Sequence, residues 1–170
     1  APNRRVVVAA PSYLARRGTP GRPEELAEHD CLVVHEHADR PALWRLHQIN
    51  TTKSAARDVV TVRVAGPLLC NHGEVVREWA LAGHGLMLRS VWDVHALIAT
   101  GRLVHVLPQW AVLDADVQLL LPARPTRLAV PRRVQLLQDH LVKSFAKVAW
   151  QPALSEVRQV RAPPTPRPRR

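Results

Sequence analysis

The stretch NHGEVVREWALAGHGLMLRS, residues 71–90, reads as a capped helix that turns through glycine into a strand. Asn71 suits the N-cap because its side-chain oxygen can accept from a backbone N–H of the first turn. Glu74, three residues on, stands where a capping-box partner reaches back. Val75, Val76, Trp79 and Ala80 recur at helical spacing and define one apolar face. Gly83 and Gly85 can supply the left-handed conformation that ends a helix. Leu86, Met87 and Leu88 form a short apolar run, as in a buried strand. Ser90 with Asp93 repeats the cap signal and opens a second helix, VWDVHALIAT, which ends at Gly101. Two helix N-termini, at Asn71 and Ser90, are therefore expected at neighbouring strand ends. In an open α/β sheet small ligands bind at such ends, because free N–H groups and the helix dipole attract anions. Taken singly, each is an ordinary cap.

Working outward, RRVVVAA (residues 4–10) is a β-branched run that reads as a buried strand stopped by Pro11. Ser12 can cap a short helix, SYLARR, that Gly18 ends. PEELAEH starts a second short helix with Pro23 near its first position. CLVVH is the next strand. HADRPALWRL has no clean period, although Trp44 and Leu46 suit a strand, and HQINTTKSAARD reads as a polar loop or hairpin. VVTVRVAG is a strand with Val60, Val62 and Val64 on one face. RLVHVLPQW (residues 102–110) and DADVQLLLPA are further strands. A last helix runs from about Pro131 to Val148, with Val134, Leu137, Leu141, Phe145 and Val148 on one face. The expected sheet strands are residues 4–10, 31–35, 58–64, 86–88, 102–107 and 116–121, in one mixed sheet of α/β class.

The chain has 170 residues and is 46% hydrophobic, enough for a real core in one domain. No apolar run reaches membrane-spanning length and no signal peptide is visible, so a cytoplasmic protein is expected. A net charge of +10 raises the question of nucleic acid. However, the tail from residue 151 onward carries five arginines against one glutamate, and the other basic residues are scattered. Aromatic residues are only 4% of the chain, and no helix-turn-helix, zinc-finger or RNA-binding aromatic motif is present. The Pro/Arg-rich tail, residues 150–170, is read as disordered. Cys31 and Cys70 form neither a disulfide framework nor a paired-cysteine metal motif.

Four stretches resemble, in order, the effector-binding (substrate-binding) domain of LysR-type transcriptional regulators. They are RRVVVAAPSYLARRGTPGRPEELAEHDCLV, VRVAGPLLCNHGEVVREWALAGHGLMLRSVWDV, GRLVHVLPQW and VQLLLPARPTRLAVPRRVQLLQDHLV. The combination is specific: a Pro-x-Tyr-Leu turn after a strand, a His-x-Cys-Leu strand entry, an Asn-x-x-Glu helix start, then Gly-Arg-Leu-Val leading to Leu-Pro-x-Trp. The resemblance implies a fold similar to type 2 periplasmic binding proteins, with two α/β lobes joined by two crossover strands and an effector in the cleft between them. On that analogy residues 1–10 are the crossover into the second lobe and residues 11–115 are that lobe. Residues 116–149 are the return crossover strand and C-terminal helix. The winged helix-turn-helix and most of the first lobe are expected to lie outside this chain. In the intact regulator a homo-oligomer, dimer or tetramer, would touch DNA only through the winged helix-turn-helix. Two alternatives remain at this point: a fragment of a periplasmic-type solute-binding protein, and a basic nucleic-acid-binding module.

The candidate effector contacts are Asn71, His72, Gly73 and Glu74 at one helix N-terminus, with Leu88, Arg89 and Ser90 at the next strand end. Ala10, Pro11 and Ser12 are expected to line the hinge side. The chemistry is binding of a small, anionic molecule, with no catalytic set and no cofactor. Ser12, Ser54, Ser90 and Ser144 lack a motif pairing them with a base, and Asp114 and Asp116 read as a solvated pair. His29, Cys31, His35 and His37 share strand parity and are of zinc- or copper-ligating type. They are spread along the strand, so no metal is expected.

Overall fold

The computed structural model describes residues 1–34, 42–49, 59–113, 115–121 and 130–147. Its elements, in order, are β1 (Arg5–Ala9), α1 (Pro11–Arg17), a 3-10 turn (Pro23–Glu28), β2 (Cys31–Val34), β3 (Ala42–Gln48), β4 (Val59–Val64), β5 (Leu69–Cys70), α2 (Gly73–Leu81), β6 (Leu86–Ser90), α3 (Val91–Ala99), β7 (Val104–Val106), β8 (Trp110–Ala111) and α4 (Arg132–Lys147).

β1 is a continuous apolar run because both of its faces are covered. It lies between β6 and β7, antiparallel to each, in a five-stranded sheet ordered β5-β2-β6-β1-β7. β2 runs parallel to β5 and β6. Alternate residues point to opposite faces. Val6, Val8, Leu32 and Met87 pack against Val76 and Ala80 of α2 and Val91, Val94 and Ile98 of α3. Val7, Ala9, Cys31, Val33 and Leu86 pack the other way, against Tyr13, Leu26 and a second sheet. Cys31 is wholly buried, and burial pushes its thiol pKa up to about 12. Its role is packing, since the thiolate is the reactive form.

Two sheets form where one was expected. The second is three-stranded, ordered β4-β3-β8. In β3 a period of two places Trp44 and Leu46 inward, opposite Val62 and Val60 of β4, while Leu43 and Arg45 stay exposed. The polar segment expected after Leu46 therefore begins inside a strand, since His47 and Gln48 pair with Ala111 and Trp110 of β8.

The helix boundaries carry further corrections. α1 starts at Pro11 with Ala10 in the cap position, so Ser12 lies inside the helix. PEELAE forms a 3-10 turn. Gly83 has φ 80°, as a left-handed helix end requires, whereas Gly85 does not. Gly85 is instead a point of close approach, where a Cβ would collide with the Asp30 carbonyl.

The strand expected at residues 116–121 does not form: residues 115–121 are irregular. The start of the chain lies beside them. Arg5 and Val112 exchange two backbone bonds of 2.9 Å, and the Ala1 ammonium donates to the Val117 carbonyl at 2.7 Å. The Asn3 backbone N–H donates to Asp116 at 2.8 Å, and its side-chain amide donates to the Ala115 carbonyl at 2.8 Å. The start of the first expected crossover segment thus runs beside the start of the second. Beyond them, no described residue of α4 is fully buried, and Leu136, Leu137 and Val142 are more than half exposed. His35, His37, Ser54, Asp114, Val148 and the basic tail lie outside the described residues.

Candidate functional site

β5, β2 and β6 are parallel, so their C-terminal ends share one rim of the sheet. Asn71–Glu74 follow β5 on this rim, and Arg89 and Ser90 end β6 on it. The structure therefore brings these residues together. Leu88 belongs to the same strand end, but it packs on the opposite face, against the cluster holding Leu86. Ala10, Pro11 and Ser12 are not part of the group. β1 is antiparallel to β6, with Arg5 opposite Ser90 and Ala9 opposite Leu86, so these three residues sit at the far end of the sheet from Arg89. They therefore do not share the rim with Arg89. Ala10 is 2% exposed, whereas Pro11 and Ser12 are exposed, and the neighbouring Tyr13 hydroxyl accepts the Asp30 N–H at 2.9 Å.

The two helix N-termini differ. In α3, Ser90 occupies the cap position without a side-chain cap bond, because its hydroxyl donates to Asn3 Oδ1 at 2.7 Å. The first N–H of α3, from Val91, donates to the Arg4 carbonyl at 3.0 Å. Asp93, expected to close a capping box, instead takes Arg77 Nη1 at 2.7 Å and Arg89 Nε at 2.6 Å. That N-terminus is already partnered.

In α2 the cap position belongs to His72, with no side-chain cap bond, so the expected Asn71 cap does not form. The helix starts two residues after Asn71. The Asn71 side-chain oxygen lies 3.9 Å from Cys70 Sγ, and that sulfur accepts the His72 N–H at 3.4 Å. Glu74 stays exposed in the first turn. Against this N-terminus lies the Arg89 guanidinium. It fills the notch left by the missing side chain of Gly73, where a Cβ would collide with Nη1.

Arg77, Asp93 and Arg89 are half-buried, with side-chain exposures of 28%, 23% and 22%. Asp93 lies between the two guanidinium groups and Glu78 also pairs with Arg77 at 3.6 Å, so the two arginines face two carboxylates. The hydrogen bond from Arg77 to Asp93, reinforced by their charges, raises the Arg77 pKa further. Sequence reasoning missed Arg77 altogether and gave Asp93 a different partner. The Arg89–Asp93 spacing of four was a visible signal, but the contribution of Arg77 depends on how α2 lies against α3.

A shallow apolar groove of about 200 Å³ lies elsewhere, lined by Val33, Ala42, Val64 and Leu69 among others, and none of the ten candidate residues lines it. Among the described residues no group of three or more His, Cys, Asp or Glu is placed to hold a metal ion, and no helix is long and apolar enough to cross a membrane.

The fold defines an α/β lobe with a rim of parallel strand ends. The family model for the LysR substrate binding domain matches residues 1–146, and the chain belongs to that family. It is 43% identical over 109 residues to the HTH-type transcriptional activator TtdR of Escherichia coli, covering 64% of this chain and 33% of the relative. It is 35% identical over 147 residues to the HTH-type transcriptional regulator DmlR of the same species, covering 86% and 44%. The chain thus spans less than half the length of these relatives. Its fold matches the regulatory domain of AphB from Vibrio vulnificus with a TM-score of 0.60 at 22% identity, covering 84% of this chain and 64% of that one. The CrgA regulatory domain of Neisseria meningitidis gives 0.53 at 27% identity, covering 84% and 65%. These findings favour the regulator over the solute-binding fragment and the nucleic-acid module.

Proposed function

We propose that this chain is an effector-sensing part of a LysR-type transcription regulator, and that a small anionic molecule binds at the rim formed by the ends of β5, β2 and β6. The observation that carries the reading is the Arg89 guanidinium seated at the α2 N-terminus beside Gly73. It places a guanidinium, paired with Asp93, next to N–H groups that lack helical partners. This lobe would form one wall of an interlobe cleft. Ligand engagement would shift the closure of two lobes, and a homo-oligomer would pass that change to DNA through a winged helix-turn-helix. The role is binding and not catalysis, in the cytoplasm. The adjacency of residues 1–5 to residues 112–117 suits a pair of connections between lobes.

Calorimetry against a library of small anionic metabolites tests this, on the present chain and on a chain carrying both lobes. We expect weak binding here, tighter binding with both lobes, and loss of binding in both for Arg89→Gln. Ligand binding by the two-lobed chain that Arg89→Gln leaves intact would remove this rim from the function.

A further inference from the structure

Tyr13 of α1 is 1% exposed, yet its hydroxyl is approached by several polar groups. The hydroxyl oxygen accepts the Asp30 N–H at 2.9 Å, and the Arg17 guanidinium reaches the same oxygen as a second donor. His29 Nδ1 lies 3.1 Å away, with the two rings tilted at a centroid distance of 5.9 Å. A phenol has one proton to donate. Among the described residues the group placed to accept it is Nδ1, so the neutral imidazole carries its own proton on Nε2. The same corner ties α1, the 3-10 turn, β2 and β6 together. Arg17 pairs with Asp30 at 3.7 Å and donates to the Glu28 carbonyl at 3.2 Å, while the Asp30 carbonyl accepts the Leu86 N–H at 2.9 Å. The charged groups facing His29 are Arg17 from α1, Glu25 and Glu28 from the 3-10 turn, and Asp30 at the entry to β2. Burial first, and the Arg17 charge second, push the His29 pKa below 6.5, against the pull of the three carboxylates.

We propose that the Tyr13–His29 hydrogen bond is a proton-sensitive latch on the α1–β2 corner, closed while His29 is neutral and opened when Nδ1 takes a proton. Protonation turns Nδ1 from acceptor into donor. Asp30 N–H, Arg17 and Nδ1–H would then all point at one phenolic oxygen, and the buried hydroxyl proton would have no acceptor. The imidazolium swings out to water, and the hydroxyl no longer holds the Asp30 N–H in one position. The unfolded chain takes this proton near pH 6.5, whereas the folded chain takes it only at lower pH. The stability contributed by the closed latch is therefore fully present above about pH 6.5 and is lost as pH falls from there through the folded pKa. A passive contact between the two rings would leave the Asp30 amide indifferent to pH. The latch precedes β2, at the sheet end opposite the rim, and does not rest on the ligand reading.

The test is nuclear magnetic resonance on the unaltered chain and on His29→Gln, whose carboxamide oxygen can still accept the hydroxyl proton but does not titrate. Imidazole carbon shifts report the protonation of His29. Exchange protection of the Asp30 amide, corrected for the intrinsic pH dependence of exchange, reports the latch. Both are followed from about pH 7.5 down past the midpoint of the His29 ring. Asp30 protection should fall about tenfold as His29 takes its proton, the effect of one pKa unit of coupling, and should stay level in His29→Gln. The amides of Val7 and Val8 in β1 should hold their protection over the same range. Tyr13→Phe gives a second reading, because loss of the hydroxyl donor should raise the His29 midpoint toward 6.5. Level Asp30 protection while the unaltered His29 titrates would overturn the latch. An equal fall in His29→Gln would also overturn it and assign the effect to the Glu25, Glu28 or Asp30 carboxylates. A fall shared by β1 would place the loss in the whole lobe and sink a local device.

Discussion

Two apolar runs in this chain look alike and end differently. Residues 5–9, RVVVA, form the buried strand β1 with β6 on one side and β7 on the other. Residues 117–121, VQLLL, form no strand, and Leu120 is 83% exposed. Apolar content and β propensity state only that a segment favours burial. They do not state whether a neighbour is present to provide it. β1 has two strand partners and two covered faces, and it recovers the conformational entropy of its ordering through contacts on all sides. In the later run Val117 bonds to Ala1, and residues 118–121 are exposed.

The comparison can be broken most directly with one residue type in both settings. Leu86 is fully buried in β6, next to β1. Leu86→Ala should destabilise by about 2–5 kcal/mol, the combined transfer and cavity cost of a closed core site. Urea unfolding followed by circular dichroism measures it. A loss below about 1 kcal/mol would mean that the lobe relaxes around the cavity and is less tightly packed than its burial implies.

A smaller effect comes from His105 of β7, the strand on the other side of β1. Burial first, and the Arg4 charge second, push its pKa from 6.5 down to about 4. Among the described residues its Nε2 is buried without a hydrogen-bond partner. The folded state therefore holds this imidazole neutral, whereas the unfolded chain protonates it near pH 6.5. Stability from this group is fully present above about pH 6.5 and is lost as pH falls from there toward about 4. Melts between these limits should fall less steeply for His105→Gln than for the unaltered chain. Parallel pH curves would show that His105 is hydrated in solution.

Much of this fold was legible because its signals are local. The alternation in VVTVRV, the glycine at residue 83 and the helical spacing of Val76 and Ala80 all reflect the backbone's own periods. The split into two sheets was not legible, since it depends on whether β3 pairs with β8 or with the main sheet, a choice made by distant packing. The rim was legible as a pair of strand ends with helix starts after them. Its chemistry was not. Ser90 and Asp93 were read as a cap, but Asn3, 87 positions away, takes the serine, and Arg77 with Arg89 takes the aspartate. Caps compete with long-range partners, and a charged partner within reach is worth more than an exposed cap bond. Ala10–Ser12 lie apart from the rim for a topological reason. An antiparallel β1 carries its C-terminal end away from the C-terminal ends of β2 and β6, and strand direction is not written in any single strand.

The smallest expected effect sharpens the comparison from its other side. Leu120 has the same side chain as Leu86 but is 83% exposed. Removing an apolar group that is already in water forfeits little transfer energy and leaves no cavity. Leu120→Ser should therefore change stability by no more than about 0.5 kcal/mol at low protein concentration. At high concentration a second effect enters. Leu119, Leu120 and Leu121 lie in a row, with Leu136, Leu137 and Val142 exposed on α4. Adjacent exposed apolar groups favour association between copies. Light scattering across a concentration series should thus show less association for Leu120→Ser while the melting temperature of the dilute chain stays put. A large drop in that dilute melting temperature would mean that residues 117–121 are covered within a single copy, and the contrast with β1 would collapse.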